Sequence, residues 1–141
     1  MNTIQKQGFN WVFSMAAIFG LAGVSSAMAD VPPLKSVQIG GRVVLATSAG
    51  RTVYIYDHDT TSDSTCYGVC AFAWPAVTTA AADLKAPLGR STRQDGSQQI
   101  TYNGHPLYLY IGDAGLGDTR GDGLGGIWHI ITNATVPAFR R

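Results

Sequence analysis

The stretch Ser97-Gln-Gln-Ile-Thr-Tyr-Asn-Gly-His-Pro-Leu-Tyr-Leu-Tyr110 decides the fold class of this chain. Two runs rich in β-branched and aromatic residues, Ser97–Tyr102 and His105–Tyr110, flank the pair Asn103-Gly104. Asn-Gly is the pair best suited to a type I′ turn, because both of its residues tolerate a positive φ. The stretch therefore predicts an antiparallel β-hairpin, with Pro106 at a strand start or on an unpaired side because it lacks an N–H.

An earlier part of the chain repeats this pattern when the sequence is aligned on itself with a shift of 54 residues. Both copies contain Tyr-x-Tyr-x-x-Asp with a tryptophan fifteen residues after the aspartate, and six of the 25 positions from 50 to 74 are identical. Two copies are too few for a solenoid, so we expect them to share one core. The shared motif residues are Tyr54, Tyr56, Asp59 and Trp74 in the first copy, and Tyr108, Tyr110, Asp113 and Trp128 in the second.

Other strand and turn signals extend this pattern over the rest of the chain. Residues 42–47 and 52–56 predict a second hairpin with a four-residue loop, and residues 128–132 predict a last short strand. The segment Thr79–Leu84 is the single helical candidate. We expect an all-β fold, a small antiparallel sandwich- or barrel-like domain built from two diverged β repeats, about 37–78 and about 89–132, with Gly-rich loops.

The composition excludes several classes of protein. All nine acidic residues are Asp, there is no Glu, and the chain holds 17 glycines. Because Glu and Lys are the usual residues of surface helices, a helical bundle or coiled coil is excluded. The formal net charge of residues 30–141 is zero, and their arginines are scattered, so we expect no nucleic-acid partner.

The N-terminus has the three parts of a secretory signal peptide, which we assign to residues 1–29. Lys6 supplies the positive region, Trp11–Val24 the apolar region, and Ala27-Met28-Ala29 the cleavage site. The apolar run is shorter than the roughly 20 residues of a membrane span, so we expect no transmembrane segment in the mature chain. Residues 30–141 then form a single soluble domain in the periplasm or outside the cell.

Cys66 and Cys70 are the two cysteines, and both lie in the exported part. In an oxidising compartment such a pair predicts a disulfide, worth about 2 kcal/mol for so small a loop. A redox or metal role is the alternative. The sequence lacks the haem-attachment pattern Cys-x-x-Cys-His. A copper-type spacing would need His at position 74, where the chain has Trp74.

The repeated motif resembles a bacterial family known as the secreted repeat, or lipoprotein repeat, with its Tyr-x-(Phe/Trp/Tyr)-x-x-Asp signature. The resemblance covers about Val43 to Ile131 and implies an exported small β domain without an established biochemical role or catalytic residues. The lipobox of a tethered lipoprotein is absent. The matching segments are Gly50–Asp59, Ser64–Pro75 and Gln99–Asp113, followed by Gly117-Asp118, Gly121, Gly123 and Trp128.

The motif residues have two interpretations. Tyrosines offer apolar area and a hydroxyl group, so the two copies could line a cleft for sugars, aromatic molecules or a macrocycle. Alternatively, the tyrosines are cross-strand core residues and the aspartates close turns onto backbone N–H groups. We favour the second interpretation, because a duplication preserves scaffolding residues as readily as sites.

Two metal hypotheses follow from single residue types. His58, His105 and His129 could bind copper, zinc or haem iron, but no pair has a ligand spacing in sequence. The Asp-rich segment 113–122 has the composition of a calcium loop with the wrong spacing. We favour exposed histidines and turn-forming aspartates, and no cofactor is predicted.

The sequence carries no catalytic signature, since Gly-x-Ser-x-Gly is absent and no Glu is available as an acid or base. We therefore expect a binding or interaction module, not an enzyme, whose partner is a small molecule or a protein at the cell envelope. The alternative is a periplasmic redox or metal-handling protein that holds copper or haem.

Overall fold

The computed structural model describes residues 33–133. The predicted signal peptide and the last eight residues lie outside this range. The regular secondary structure of these residues is almost entirely β, in three antiparallel sheets, none of which is closed. The elements are β1 (Leu34–Ile39), β2 (Arg42–Thr47), β3 (Tyr54–Tyr56), α1 (Val69–Ala73), β4 (Leu88–Thr92), β5 (Gln98–Tyr102), β6 (His105–Pro106), a 3₁₀ turn (Leu124–Gly126) and β7 (Trp128–Ile130).

The two predicted hairpins are present. Asn103 and Gly104 have φ values of 49° and 81°, as a type I′ turn requires, and Tyr102 pairs with His105 across them. In the first copy, the Thr47 N–H donates to the Arg51 carbonyl at 2.8 Å and closes the corresponding loop. The strand that pairs along the whole of β2, however, is β1, which was not predicted.

The helix prediction for Thr79–Leu84 is wrong, and the helix is instead Val69–Ala73. The Thr79 N–H donates to the Gln98 carbonyl at 3.0 Å, which continues a strand pairing, and its hydroxyl then accepts the Ala81 N–H at 3.0 Å. A threonine that satisfies its neighbours in this way favours a turn over a helix.

Each repeat completes the sheet of the other repeat. The Leu45 N–H of β2 donates to the Ile131 carbonyl of the second repeat at 2.9 Å. In the same way, the Ile100 N–H of β5 donates to the Val77 carbonyl of the first repeat at 2.8 Å. The last extended segment of each copy has therefore crossed over to the other copy, so neither repeat is a separate folding unit.

A local two-fold axis relates the two repeats at Tyr54 and Tyr108. The N–H of each residue donates to the carbonyl of the other at 2.9 Å. Such a reciprocal pair is the hydrogen-bonded type of antiparallel pairing, which is symmetric about its midpoint. The axis passes between the two motifs and places equivalent residues on opposite sides of it.

Side chains alternate along the motif strands and divide the interior into two clusters. Val53 and Leu107 point to an aliphatic cluster, whereas Tyr54 and Tyr108 point to an aromatic one. The aliphatic cluster also holds Leu34, Leu45, Val77, Leu88 and Ile100, and the aromatic cluster also holds Cys66, Trp74 and Trp128. The aromatic cluster contains both motif tryptophans, so the motif builds a core of its own.

Candidate functional site

The first tyrosine of each motif, which we call the inner tyrosines Tyr54 and Tyr108, is buried and bonded to the opposite repeat. The Tyr54 hydroxyl donates to Asp113 Oδ2 at 2.7 Å, and the Tyr108 hydroxyl donates to Asp59 Oδ2 at 2.6 Å. The motif Tyr and Asp are therefore partners between repeats, not within one repeat.

The motif aspartates also close the loops in which they lie. Asp59 Oδ1 accepts hydrogen bonds from the Thr65 N–H at 2.7 Å and from the Thr65 hydroxyl at 3.0 Å. Asp113 Oδ1 accepts the Arg120 N–H at 3.0 Å. One carboxylate oxygen thus orders a loop while the other holds a phenol of the opposite repeat.

Both inner tyrosines are neutral phenols over the physiological pH range. Burial is the main cause that raises the pKa of Tyr54, and its hydrogen bond to Asp113 is the second. Burial and the hydrogen bond to Asp59, in the same order, raise the pKa of Tyr108. A phenolate beside a carboxylate in a buried site would be strongly disfavoured.

A buried arginine extends the hydrogen bonds of Tyr108. Arg93 is 7% exposed and donates to Ser64 Oγ at 2.9 Å and Gln99 Oε1 at 2.7 Å. Because Arg93 donates to Ser64 and Tyr108 donates to Asp59, the Ser64 hydroxyl donates to the Tyr108 oxygen, 2.7 Å away. The hydroxyl groups of Ser64 and Tyr108 thus form a chain of hydrogen bonds from the Arg93 guanidinium group to the Asp59 carboxylate.

The aromatic stack is the most extensive feature of the site. We use this name for five rings that lie face to face in series: Tyr110, Trp74, Trp128, Tyr56 and His58. The centroid distances along the series are 4.3, 3.7, 4.2 and 5.1 Å, with interplanar angles of 27°, 3°, 17° and 19°. The two tryptophans form its centre, so the local two-fold axis continues through the stack.

The inner tyrosines contact this stack with their edges. Tyr54 meets Trp74 at 5.4 Å and 77°, and Tyr108 meets Trp128 at 5.2 Å and 89°. Edge-to-face pairs of this kind are among the favoured aromatic geometries, each worth about 0.5–1.5 kcal/mol beyond burial. All six motif aromatic residues therefore belong to one contiguous cluster.

The two ends of the stack differ. Tyr56 and Tyr110, which we call the outer tyrosines, are partly exposed. The exposed His58 ring covers Tyr56, whereas at the other end Gly112 lies so close to Tyr110 that an added Cβ would collide with the ring. One end thus finishes in an exposed imidazole ring and the other end in backbone.

The three histidines are not brought together as a metal site. His129 Nε2 lies 2.8 Å from Asp57 Oδ2, His58 stacks on Tyr56, and His105 is exposed on β6. Within residues 33–133, no group of three or more His, Cys, Asp or Glu side chains could hold a metal ion. The described residues therefore show no cluster of three or more side chains of the kind that binds copper or zinc.

The Asp-rich loop uses its carboxylates for turns. Asp118 Oδ2 accepts the N–H groups of Gly115 at 3.1 Å and Ala114 at 2.9 Å, and these bonds, Gly115 first, lower the pKa of Asp118. Asp122 Oδ1 accepts the Ile130 N–H at 3.2 Å. These oxygens order the backbone, as the turn interpretation predicts.

Two features near the site were not predicted from the sequence. Arg93 is one of the arginines scattered along the sequence, and its burial was not predicted because its partners Ser64 and Cys66 lie 29 and 27 residues away. Helix α1 presents Val69 and Phe72, which are 88% and 74% exposed. The Cys66–Cys70 disulfide, which was predicted, joins Cys70 within this helix to Cys66 before it.

Fold and site together define a class of protein: a small all-β domain made of two repeats that exchange strands around a shared aromatic core. The family model described as a secreted repeat of unknown function matches residues 41–78 and 89–132, more than half of the chain. The chain belongs to this family. No curated protein and no solved structure shows a significant match to it. Over residues 33–133, no helix has the length and apolar character needed to cross a membrane.

Proposed function

We propose that the protein is exported by the signal peptide at residues 1–29 and acts, as a soluble domain from Asp30 onward, as a binding module at the cell envelope. The absence of a lipobox supports release into the periplasm or the medium, without a lipid anchor. The family description as a secreted repeat supports export.

The observation that carries the binding role is the exposed end of the aromatic stack. His58 is exposed and lies parallel to Tyr56, so a flat ligand that stacked on the imidazole would extend the series by one ring. The inner tyrosines are fully buried and leave no surface for a ligand. A cleft lined by all four motif tyrosines is therefore not available, and we place the ligand at the exposed end of the stack.

The exposed imidazole indicates what kind of ring would bind. His129, which pairs with Asp57, lies across from Ile55 and so faces away from the stacked Tyr56 and Trp128. The ring nitrogens of His58 therefore supply the hydrogen-bonding groups at this end, and they favour rings that carry hydroxyl or amino groups. We propose a sugar or a polar aromatic molecule as the ligand class.

The test is a titration of the ¹⁵N-labelled mature domain with cellobiose and, separately, with indole, followed by two-dimensional NMR. We expect one of these probes to shift the backbone signals of Asp57, His58 and His129. His58→Ala abolishes those shifts, whereas His105→Ala, which removes an exposed histidine on β6, leaves them intact.

Shifts centred on Phe72 and Val69 instead would place the contact surface on α1 and contradict this site. If neither probe shifts any signal at millimolar concentration, the ring-binding hypothesis is wrong.

A further inference from the structure

The aromatic stack provides an unbroken series of rings between the surface and the buried phenols. No step along it exceeds 5.1 Å between centroids, and the inner tyrosines lie within 5.4 Å of its tryptophans. Tryptophan and tyrosine are among the side chains most readily oxidised by one electron without a metal. Rings in van der Waals contact allow an electron to pass between them without a large rearrangement.

Each inner tyrosine also has a base in place. A phenol that loses an electron becomes a strong acid, so its proton must leave at nearly the same time. The carboxylates of Asp113 and Asp59 accept the phenolic hydrogen bonds at 2.7 and 2.6 Å, which is within reach for direct proton transfer. Burial keeps water from serving as the acceptor in their place.

We propose that the aromatic stack is a one-electron relay that carries oxidising equivalents from the exposed His58–Tyr56 end to the inner tyrosines. The external partner is a one-electron oxidant, such as an organic radical, which takes one electron at the exposed end and is itself reduced. Tyr54 or Tyr108 supplies that electron through the tryptophans, and its O–H bond breaks. The proton moves to the paired aspartate, leaving a neutral tyrosyl radical and a carboxylic acid.

The two inner tyrosines are not equivalent in this role. The Tyr108 oxygen accepts a hydrogen bond from Ser64, behind which lies the Arg93 guanidinium group. The Tyr54 oxygen accepts only a backbone N–H, from Gly121 at 3.3 Å, among the hydrogen bonds of the described residues. Because a positive charge opposes the loss of an electron nearby, we infer that the radical forms mainly on Tyr54.

The relay does not depend on the proposed ligand, and its test uses none. The mature protein is oxidised by flash photolysis with a soluble ruthenium polypyridyl complex and a sacrificial electron acceptor, and the radicals are identified by transient absorption and electron paramagnetic resonance. We expect a tryptophan radical followed by a tyrosyl radical, with slower tyrosyl formation in deuterium oxide.

Variants assign the positions. Tyr54→Phe removes most of the tyrosyl signal and leaves the tryptophan radical longer-lived, whereas Tyr108→Phe has a smaller effect. Asp113→Asn slows tyrosyl formation by about 100-fold, as expected for loss of a positioned base. Tyr102→Phe is the matched control, because this tyrosine packs against the aliphatic cluster, away from the stack, and should leave the signal unchanged.

Three results would overturn the relay. The first is a tyrosyl signal that persists undiminished in the Tyr54→Phe, Tyr108→Phe double variant. The second is a tyrosyl signal that is lost in the Tyr102→Phe control. The third is the absence of a deuterium effect in the unmodified protein, which needs no variant to fold.

Discussion

The exchange of hydrogen bonds between repeats predicts a specific pattern of energetic coupling. In a double-mutant cycle, Tyr108→Phe is combined with Asp59→Ala, its observed partner, and separately with Asp113→Ala, the aspartate of its own repeat. The first pair shares a 2.6 Å hydrogen bond between a buried phenol and a carboxylate. The second pair shares none, because the Asp113 oxygens accept from Tyr54 and Arg120.

The magnitude follows from the type of bond. A hydrogen bond to a charged group contributes about 1.5–3 kcal/mol, and the partly exposed Asp59 places this one near the lower end. We expect a coupling energy of about 1.5 kcal/mol for the Tyr108/Asp59 cycle. Asp59→Ala also removes the hydrogen bonds that close the Asp59 loop, but it does so with and without Tyr108→Phe, so this cost cancels from the coupling energy. The same-repeat cycle with Asp113 should be additive within about 0.5 kcal/mol.

The assay is urea unfolding of the mature domain, followed by far-ultraviolet circular dichroism and tryptophan fluorescence. Coincident transitions by the two probes establish the two-state behaviour on which the cycle depends. A coupling of Tyr108 with Asp113 that equals or exceeds its coupling with Asp59 would refute the exchange between repeats.

Three further predictions concern packing, the disulfide and pH. Gly121→Ala should destabilise the domain by about 1–3 kcal/mol, since the new Cβ would lie 2.7 Å from the Trp74 ring, whereas Gly115→Ala, which meets no atom within 4 Å, should have little effect in the same urea titration. Replacing Cys66 and Cys70 by serine should lower the free energy of unfolding by about 2 kcal/mol relative to the unsubstituted protein, as measured by urea unfolding. An unchanged unfolding midpoint would contradict the chain-entropy argument. The folded-state pKa of both inner tyrosines lies above the ordinary value of 10.0, so their contribution to stability is complete below pH 10.0 and is lost as the pH rises above it. Urea unfolding midpoints should therefore fall above pH 10.0, and they should fall less in the Tyr54→Phe, Tyr108→Phe double variant.

The sequence predicted the parts of the fold that depend on local chemistry. The Asn103-Gly104 turn was recognised because few residue pairs accept two positive φ values. Strand β1 was missed, although Gly40 and Gly41 form the turn that leads into β2, because Leu34–Ile39 mixes polar and apolar residues without a clear alternation. The helical candidate failed because strand pairing with a distant segment outweighed a weak local preference.

The candidate site was only partly predictable for a different reason. The duplication identified the motif residues, but the pairing of Tyr54 with Asp113 joins positions 59 residues apart. A motif repeated within one chain is equally compatible with bonds inside each copy and bonds between copies. The bonds run between copies because the last extended segment of each copy pairs with the other copy, and no local sequence pattern predicts that pairing. Arg93 was overlooked for the same reason.

The local two-fold axis has a consequence for how such a protein can change during evolution. In a symmetric homodimer every substitution appears on both sides of the axis at once, so an asymmetric site cannot arise by point mutation. With both halves on one polypeptide, each side can be altered alone. The positions related by the 54-residue shift already differ: His58 stands opposite Gly112, and the Cys66–Cys70 pair stands opposite Arg120 and Leu124. A single polypeptide thereby gives a nearly symmetric core one end that carries an additional stacked ring and one end that does not, and hence a direction.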